Sequence, residues 1–193
     1  MRRRILLIAA VTTALVAAAC VSTDNPVAPP SAPLAPSVAN QSLLGLGGAT
    51  TVTPLHRTKA LPQSLSASAN IGPLGGTLAI PGAGILVVIP PLAVPNAQKI
   101  TVTATAGSDV AYEFAPHGLK FNLPLVVTQS LIGTDASKTG SIDPLSLFAG
   151  YYPDSTKVTS ITEQLTVNVN LLNQLATFTV WHFSGYILAS GRR

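Results

Sequence analysis

An all-β domain, a sandwich of antiparallel strands, is the fold this sequence predicts, and three observations predict it. From Leu74 to Ala189, short apolar or alternating runs recur, each stopped by Gly, Pro, Asn or Asp. Several alternate with period two, KITVTATA most cleanly, which sets side chains on opposite faces of a strand. Within the same interval no uninterrupted amphipathic window is long enough for a helix of three turns. Many short strands with turn residues at close intervals are the pattern of a sandwich or barrel.

The chain begins with MRRR, a positive segment, followed by the apolar run ILLIAAVTTALVAAA. That order predicts a secretory signal peptide over residues 1–19. The run from Ile5 to Ala19 is 15 residues, whereas a helix needs about 20 to cross the hydrocarbon core. A retained transmembrane helix is therefore the weaker reading. The stretch Ala17-Ala18-Ala19-Cys20 resembles a bacterial lipobox, with alanine where leucine is usual at its first position. This implies a lipid anchor at Cys20, the one cysteine of the chain, and excludes a disulfide within it. Ordinary secretory cleavage would also leave Cys20 leading the mature chain. Val21 and Ser22 stand where an inner-membrane retention signal would place Asp, which points to onward sorting to an outer membrane.

From Val21 to Ala69 the chain is rich in Pro, Ala and Ser and contains no aromatic residue. Such composition cannot bury enough surface to offset ordering entropy, so residues 20–69 are expected to form a lipidated N-terminus and flexible stalk. Within it, QSLLGLGGATTVTPL is more apolar and could dock on the domain. The folded sandwich is then expected over 70–189, with a tail at 190–193. All ten aromatic residues lie between Tyr112 and Tyr186.

In chain order, Gly75-Gly76 opens the strand TLAI, and Pro81-Gly82 ends it. ILVVI follows and is stopped by Pro90-Pro91, which no helix interior or central strand tolerates. KITVTATA comes next, then VAYEF, LPLVVTQSL, LSLFAGYY, KVTSI, LTVNVN, ATFTVWHF and YILA. From Ala60 to Gln98 there is no Asp, Glu, Lys or Arg at all, an uncharged surface that invites a cover.

The formal charge of +4 suggests nucleic-acid binding until its distribution is read. Five of the eleven basic residues are Arg2, Arg3, Arg4, Arg192 and Arg193 at the two ends. No basic stripe interleaved with aromatics remains, so nucleic acid is excluded as a partner. Gly75-Gly76 opens a β-segment rather than a strand-to-helix loop, which argues against a nucleotide site. One cysteine and three histidines isolated in sequence, His56, His117 and His182, make a poor zinc set. DASKTGSID, from Asp135 to Asp143, has oxygens but not the spacing of a calcium loop. Asp109, Glu113, Asp154 and Glu163 are likewise scattered among turns. No cofactor and no metal are expected, and the chain is not expected to be an enzyme on an external substrate.

The order GGTLAIPGAGILVVIPPLAVPNAQKITVTA, EFAPHGLKFNLPLVVT, LSLFAGYYPDSTKV, ATFTVWHFSGYILA resembles the ZU-five domain of ankyrins, netrin receptors and zonula occludens proteins, in its bacterial exported form. The resemblance covers Ile71 to Ala189 and is most specific from Phe114 to Val127. It implies an antiparallel β-sandwich that serves protein interaction or scaffolding. His117, in the turn between Pro116 and Gly118, is expected to face solvent or brace the turn.

Some ZU-five relatives cut their own chain before a serine in a Phe-Ser bond, and His182-Phe183-Ser184 matches the sequence some of them use. The resemblance makes Ser184 the nucleophile and His182 the base, with the Phe183–Ser184 bond cleaved. Strand alternation would place His182 and Ser184 on one face. Gly185 would permit an unusual backbone angle or an ordinary bulge. In the structural reading the triplet is simply part of the last strands, with Trp181, Phe183 and Ile187 filling the core or its rim. The leading expectation is a lipid-anchored envelope protein displaying an interaction module to an unidentified protein partner; the alternative is a self-cleaving domain.

Overall fold

The computed structural model describes residues 49–190, and the signal segment, Cys20 and the stalk as far as residue 48 lie outside them. Its strands are β1 (Thr50–Thr51), β2 (Thr53–Pro54), β3 (His56–Leu61), β4 (Leu65–Ile71), β5 (Gly76–Ile80), β6 (Ile85–Ile89), β7 (Gln98–Ala104) and β8 (Gly107–Asp109). They continue as β9 (Ala111–Ala115), β10 (Lys120–Ser130), β11 (Leu147–Tyr152), β12 (Ser160–Ile161), β13 (Glu163–Thr166), β14 (Asn168–Asn170), β15 (Leu175–His182) and β16 (Gly185–Ser190). Among the described residues helix is confined to two short 3-10 turns, Pro81–Ala83 and Pro144–Ser146, each with proline in its first turn.

The fold is all-β, and its two large antiparallel sheets pack as a sandwich. One has five strands in the order β14-β15-β10-β6-β5; the other follows β13-β11-β16-β9-β7-β4, with β2 added against β16. Two-stranded ribbons β1-β12 and β3-β8 complete it.

Period two in the sequence becomes burial in the structure. In β6, Ile85, Val87 and Ile89 point inward while Leu86 and Val88 point out. In β15, Ala176, Phe178 and Val180 point inward and Thr179 and Trp181 outward. Residues in β7 and β9, including Ile100, Val102, Tyr112 and Phe114, meet them from the other sheet. Full burial of an aromatic or branched side chain contributes roughly 1.5–3 kcal/mol, so these rows dominate the energetics. Strand β16 departs from alternation, because it lies between β11 and β9 and is buried on both faces. A second cluster of Ala111, Tyr152, Ile161 and Ile187 covers its far side.

After β6 the chain turns back through Pro90 and Pro91. Gly75 packs beneath that turn with φ of 71°, and a Cβ there would stand 2.3 Å from the Ile89 carbonyl oxygen. Glycine at this position answers both a left-handed backbone and a close approach.

Two expectations need correction. The folded domain does not begin at residue 70: β1 to β4 occupy 50–71 and belong to the sandwich. Leu55 is fully buried, its N–H bonded to the Leu188 carbonyl (2.8 Å) and its carbonyl to the Val110 N–H (2.8 Å). In β4, Ser66, Ser68 and Asn70 face out, while Leu65, Ala67, Ala69 and Ile71 pack toward the core. That is period two written in small residues, and the Ser and Ala content concealed it. Serine hydroxyls bond across to β7, Ser66 to Thr103 at 2.8 Å and Ser68 to Thr101 at 2.7 Å. LTVNVN, expected as one strand, is divided: β13 pairs in one sheet and β14 in the other, while Leu165, Val167 and Val169 all pack on the core during the crossing.

The phenols of Tyr112, Tyr152 and Tyr186 are held well above their usual value of 10, first by burial. Glu113 adds to the effect at Tyr152, and Glu163 and Tyr151 at Tyr186, whereas Arg57 opposes it at Tyr112. These folded-state values exceed the unfolded one, so above about pH 10 the unfolded chain binds fewer protons than the folded chain. The stability they lend is complete below that pH and falls as pH rises beyond it. Phenolate absorbance from these three residues is therefore expected only together with loss of the β-sheet circular dichroism. A smooth titration of every tyrosine near pH 10, with the fold intact, would contradict this.

Candidate functional site

Phe183 and Ser184 form the corner where the chain leaves β15 of one sheet and enters β16 of the other. The ladder ends at His182 because the backbone must step between layers. Phe183 is 1% exposed and sits between two rings, stacked on Phe114 at 5.3 Å and edge-on to Phe121 at 4.6 Å. Its N–H donates to the Leu119 carbonyl (2.8 Å), and its carbonyl accepts from the Gly118 N–H (3.0 Å). The Ser184 carbonyl accepts from the Phe114 N–H (3.0 Å). A turn after β9 thus satisfies the corner's backbone, as burial requires.

Ser184 is buried and lies past the end of β15, so strand alternation no longer relates it to His182. Alternation stops where the strand stops. The Tyr186 hydroxyl donates to the His182 carbonyl (2.8 Å), leaving its oxygen to face Nδ1 of the His182 ring at 3.3 Å. On the other side Nε2 lies 3.9 Å from Glu163, and Tyr151 meets the ring edge-on at 5.1 Å. Among the described residues no hydrogen bond joins His182 to Ser184. The corner therefore has one donor at the carbonyl where an oxyanion would develop, and no base in place on the hydroxyl.

Gly185 does not have a positive φ. A Cβ there would lie 2.0 Å from the Tyr152 ring, which is itself buried and bonded through its hydroxyl to the Tyr112 carbonyl (3.0 Å). The glycine makes room for an aromatic side chain. Of the three residues expected to fill the core or its rim, Phe183 and Ile187 are buried and Trp181 is 55% exposed on the outer face.

The histidines that look isolated in sequence each meet a carboxylate in space. His56 lies between two, with Nδ1 3.2 Å from Asp135 and Nε2 3.4 Å from Asp109. Its backbone N–H also donates to Asp135 (3.0 Å). His117 Nε2 is 3.4 Å from Glu113, four residues earlier in the chain on β9. The first cluster arises because β3 pairs with β8 at His56 and Asp109, while the loop after β10 folds across both. Linear spacing carries no signal for that convergence. DASKTGSID is tied down at both ends, Asp135 holding His56 of β3 and Asp143 capping the 3-10 turn through the Leu145 N–H at 2.9 Å. Among the described residues no group of three or more His, Cys, Asp or Glu is arranged to hold a metal ion.

The outer face of the five-stranded sheet is the other distinctive surface. Val126 pairs with Val88 on one side and Thr179 on the other, and Thr128 with Leu86 and Thr177. Leu86, Val88 and Trp181 are 40%, 37% and 55% exposed, and none of these positions carries a charge.

What these features define is an antiparallel β-sandwich domain with a tightly packed corner between its sheets. No model of a known protein family matches the chain, and no curated protein does.

Proposed function

We propose that this chain is an exported lipoprotein, acylated at Cys20 and held in the cell envelope, outer membrane before inner, whose ZU-five-like sandwich acts as a protein-interaction module. The observation that carries the module reading is the uncharged outer face with Leu86, Val88 and Trp181 in water. Exposed apolar groups flanked by threonines suit a protein partner better than a nucleic acid or an ionic ligand. The anchor reading rests on the apolar leader and the lone cysteine that follows it.

Two experiments test the two halves. Mass analysis of the mature N-terminal peptide should find an acylated Cys20, and Cys20→Ala should release the protein from the membrane fraction. A photo-crosslinking residue at Val88 should give a discrete protein adduct in intact cells, whereas one at Ser66, on the outer face of the other sheet, should not. Identical patterns from both positions would sink the interaction face.

Self-cleavage between Phe183 and Ser184 has one observation in its favour, the Gly118 N–H on the Phe183 carbonyl. Lacking a base on Ser184, the domain is expected to keep its last ten residues, Ser184 to Arg193, through prolonged incubation. Intact mass under denaturing conditions reads this directly. Loss of that segment from the wild type but not from Ser184→Ala would establish cutting instead.

A further inference from the structure

Beside Arg57 a cleft of about 570 Å³ opens between β3, the Pro81–Gly84 turn and the loop after β10. It exists because β3 pairs with β8 only at His56 and Leu61, and the segment between them bows away toward Gly133 and Thr134. Lys59 stands exposed at its edge, Gln129 and Ser130 line one wall, and no carboxylate lines it. Arg57 is 8% exposed, its guanidinium lying over the Tyr112 ring at 5.8 Å and its Nη1 donating to the Asp109 carbonyl.

Among the described residues no acceptor is placed for a hydrogen bond from Arg57 Nε or Nη2, although the guanidinium also favours the charged form of the Tyr112 phenol through a side-chain contact. Asp109 and Asp135 are the nearby acids, and His56 holds the carboxylates of both. A buried cation without an acid partner is costly, and a face-on ring offsets only part of that cost. Nε–H and Nη2–H lie along one edge of the guanidinium, the planar fork that grips a carboxylate or a phosphate with two parallel bonds. The Gln129 side chain is fixed for its part, its amide nitrogen donating to the Ala83 and Ser130 carbonyls at 3.2 and 2.6 Å and its oxygen accepting from the Tyr112 hydroxyl. The cleft wall is thus rigid where the arginine is unsatisfied.

We propose that this cleft binds an oxyanion-bearing small molecule, its carboxylate or phosphate gripped by the Nε and Nη2 edge of Arg57 and attracted by Lys59. The site is separate from the outer face assigned above to a protein partner, and either can fail without the other. Both nitrogens are covered by neighbouring atoms, so binding lifts the guanidinium from Tyr112 into the cleft.

The test uses the full-length chain, 15N-labelled and purified in detergent, titrated with sodium phosphate or sodium acetate at constant ionic strength set by chloride. The Arg57 Nε–H resonance, assigned by its loss in Arg57→Lys, is expected to shift saturably with phosphate, acetate or both, and the ion that saturates identifies the head group. Lys59→Gln, a change at an exposed rim that leaves folding intact, should weaken that binding about fivefold, as expected for one nearby charge. The proposal is overturned if neither ion gives saturation up to about 50 mM, far above a millimolar dissociation constant. It is equally overturned if Lys59→Gln leaves the affinity unchanged. Should Arg57→Lys not fold, the Lys59→Gln comparison decides alone.

Discussion

Replacing Phe183 by alanine is expected to lower the stability of the domain by about 4 kcal/mol, in the middle of the range for removing a buried aromatic. The ring is 1% exposed and touches Phe114 in one sheet and Phe121 at the start of β10 in the other. Its removal leaves a hole at the one point where the chain steps directly from β15 to β16. Collapse is restricted because the backbone on both sides is fixed, Phe183 to Leu119 and Gly118, Ser184 to Phe114. Urea unfolding of wild type, Phe183→Ala and Phe183→Leu should give three separated midpoints, with leucine retaining most of the volume and costing about 1.5 kcal/mol. Trp181→Ala, two residues away but 55% exposed, should stay within about 0.5 kcal/mol of wild type. If Phe183→Ala cost no more than Trp181→Ala, the corner would not be what joins the sheets, and the triplet would need a role other than packing.

The corner also marks where sequence reasoning holds and where it fails. ILVVI and TLAI were legible because strong apolar residues, bounded by Pro and Gly, can do little except form buried strands; β6 begins and ends where the run does. ATFTVWHF gave its strand to within a residue, because Ala176, Phe178 and Val180 alternate with threonines. Face assignment beyond His182 was lost, since period two says nothing about the point at which a strand leaves its sheet. The same blindness joined β13 to β14. His56, Asp109 and Asp135 came together only through the pairing of β3 with β8, a long-range contact with no local signature. The cleft beside Arg57 is illegible for the same reason, because one strand edge, one turn and one loop from separate parts of the chain make it.

The boundary of the domain gives the second large effect. Composition places the start of the fold near Asn70, whereas strands begin at Thr50. A fragment from Gly45 to Arg193, the extent of the compact unit, is expected to unfold in one cooperative transition. A fragment starting at Asn70 is expected not to fold. It lacks β1 to β3 and nearly all of β4, whose seven residues pair from Leu65↔Ala104 to Ile71↔Gln98 along β7. Without them β7 presents a bare row of N–H and C=O groups, and the cover over Ile100 and Val102 is removed. Leu55, fully buried between Val110 and Leu188, goes as well. Loss of one sheet strand and one core leucine already approaches the 5–15 kcal/mol by which domains are stable, so the shorter fragment has nothing in reserve. Far-ultraviolet circular dichroism with urea titration compares the two. Matching midpoints and slopes would mean that residues 50–69 are an appendage on a core complete without them, and the seven-stranded sheet would have to hold its edge without β4.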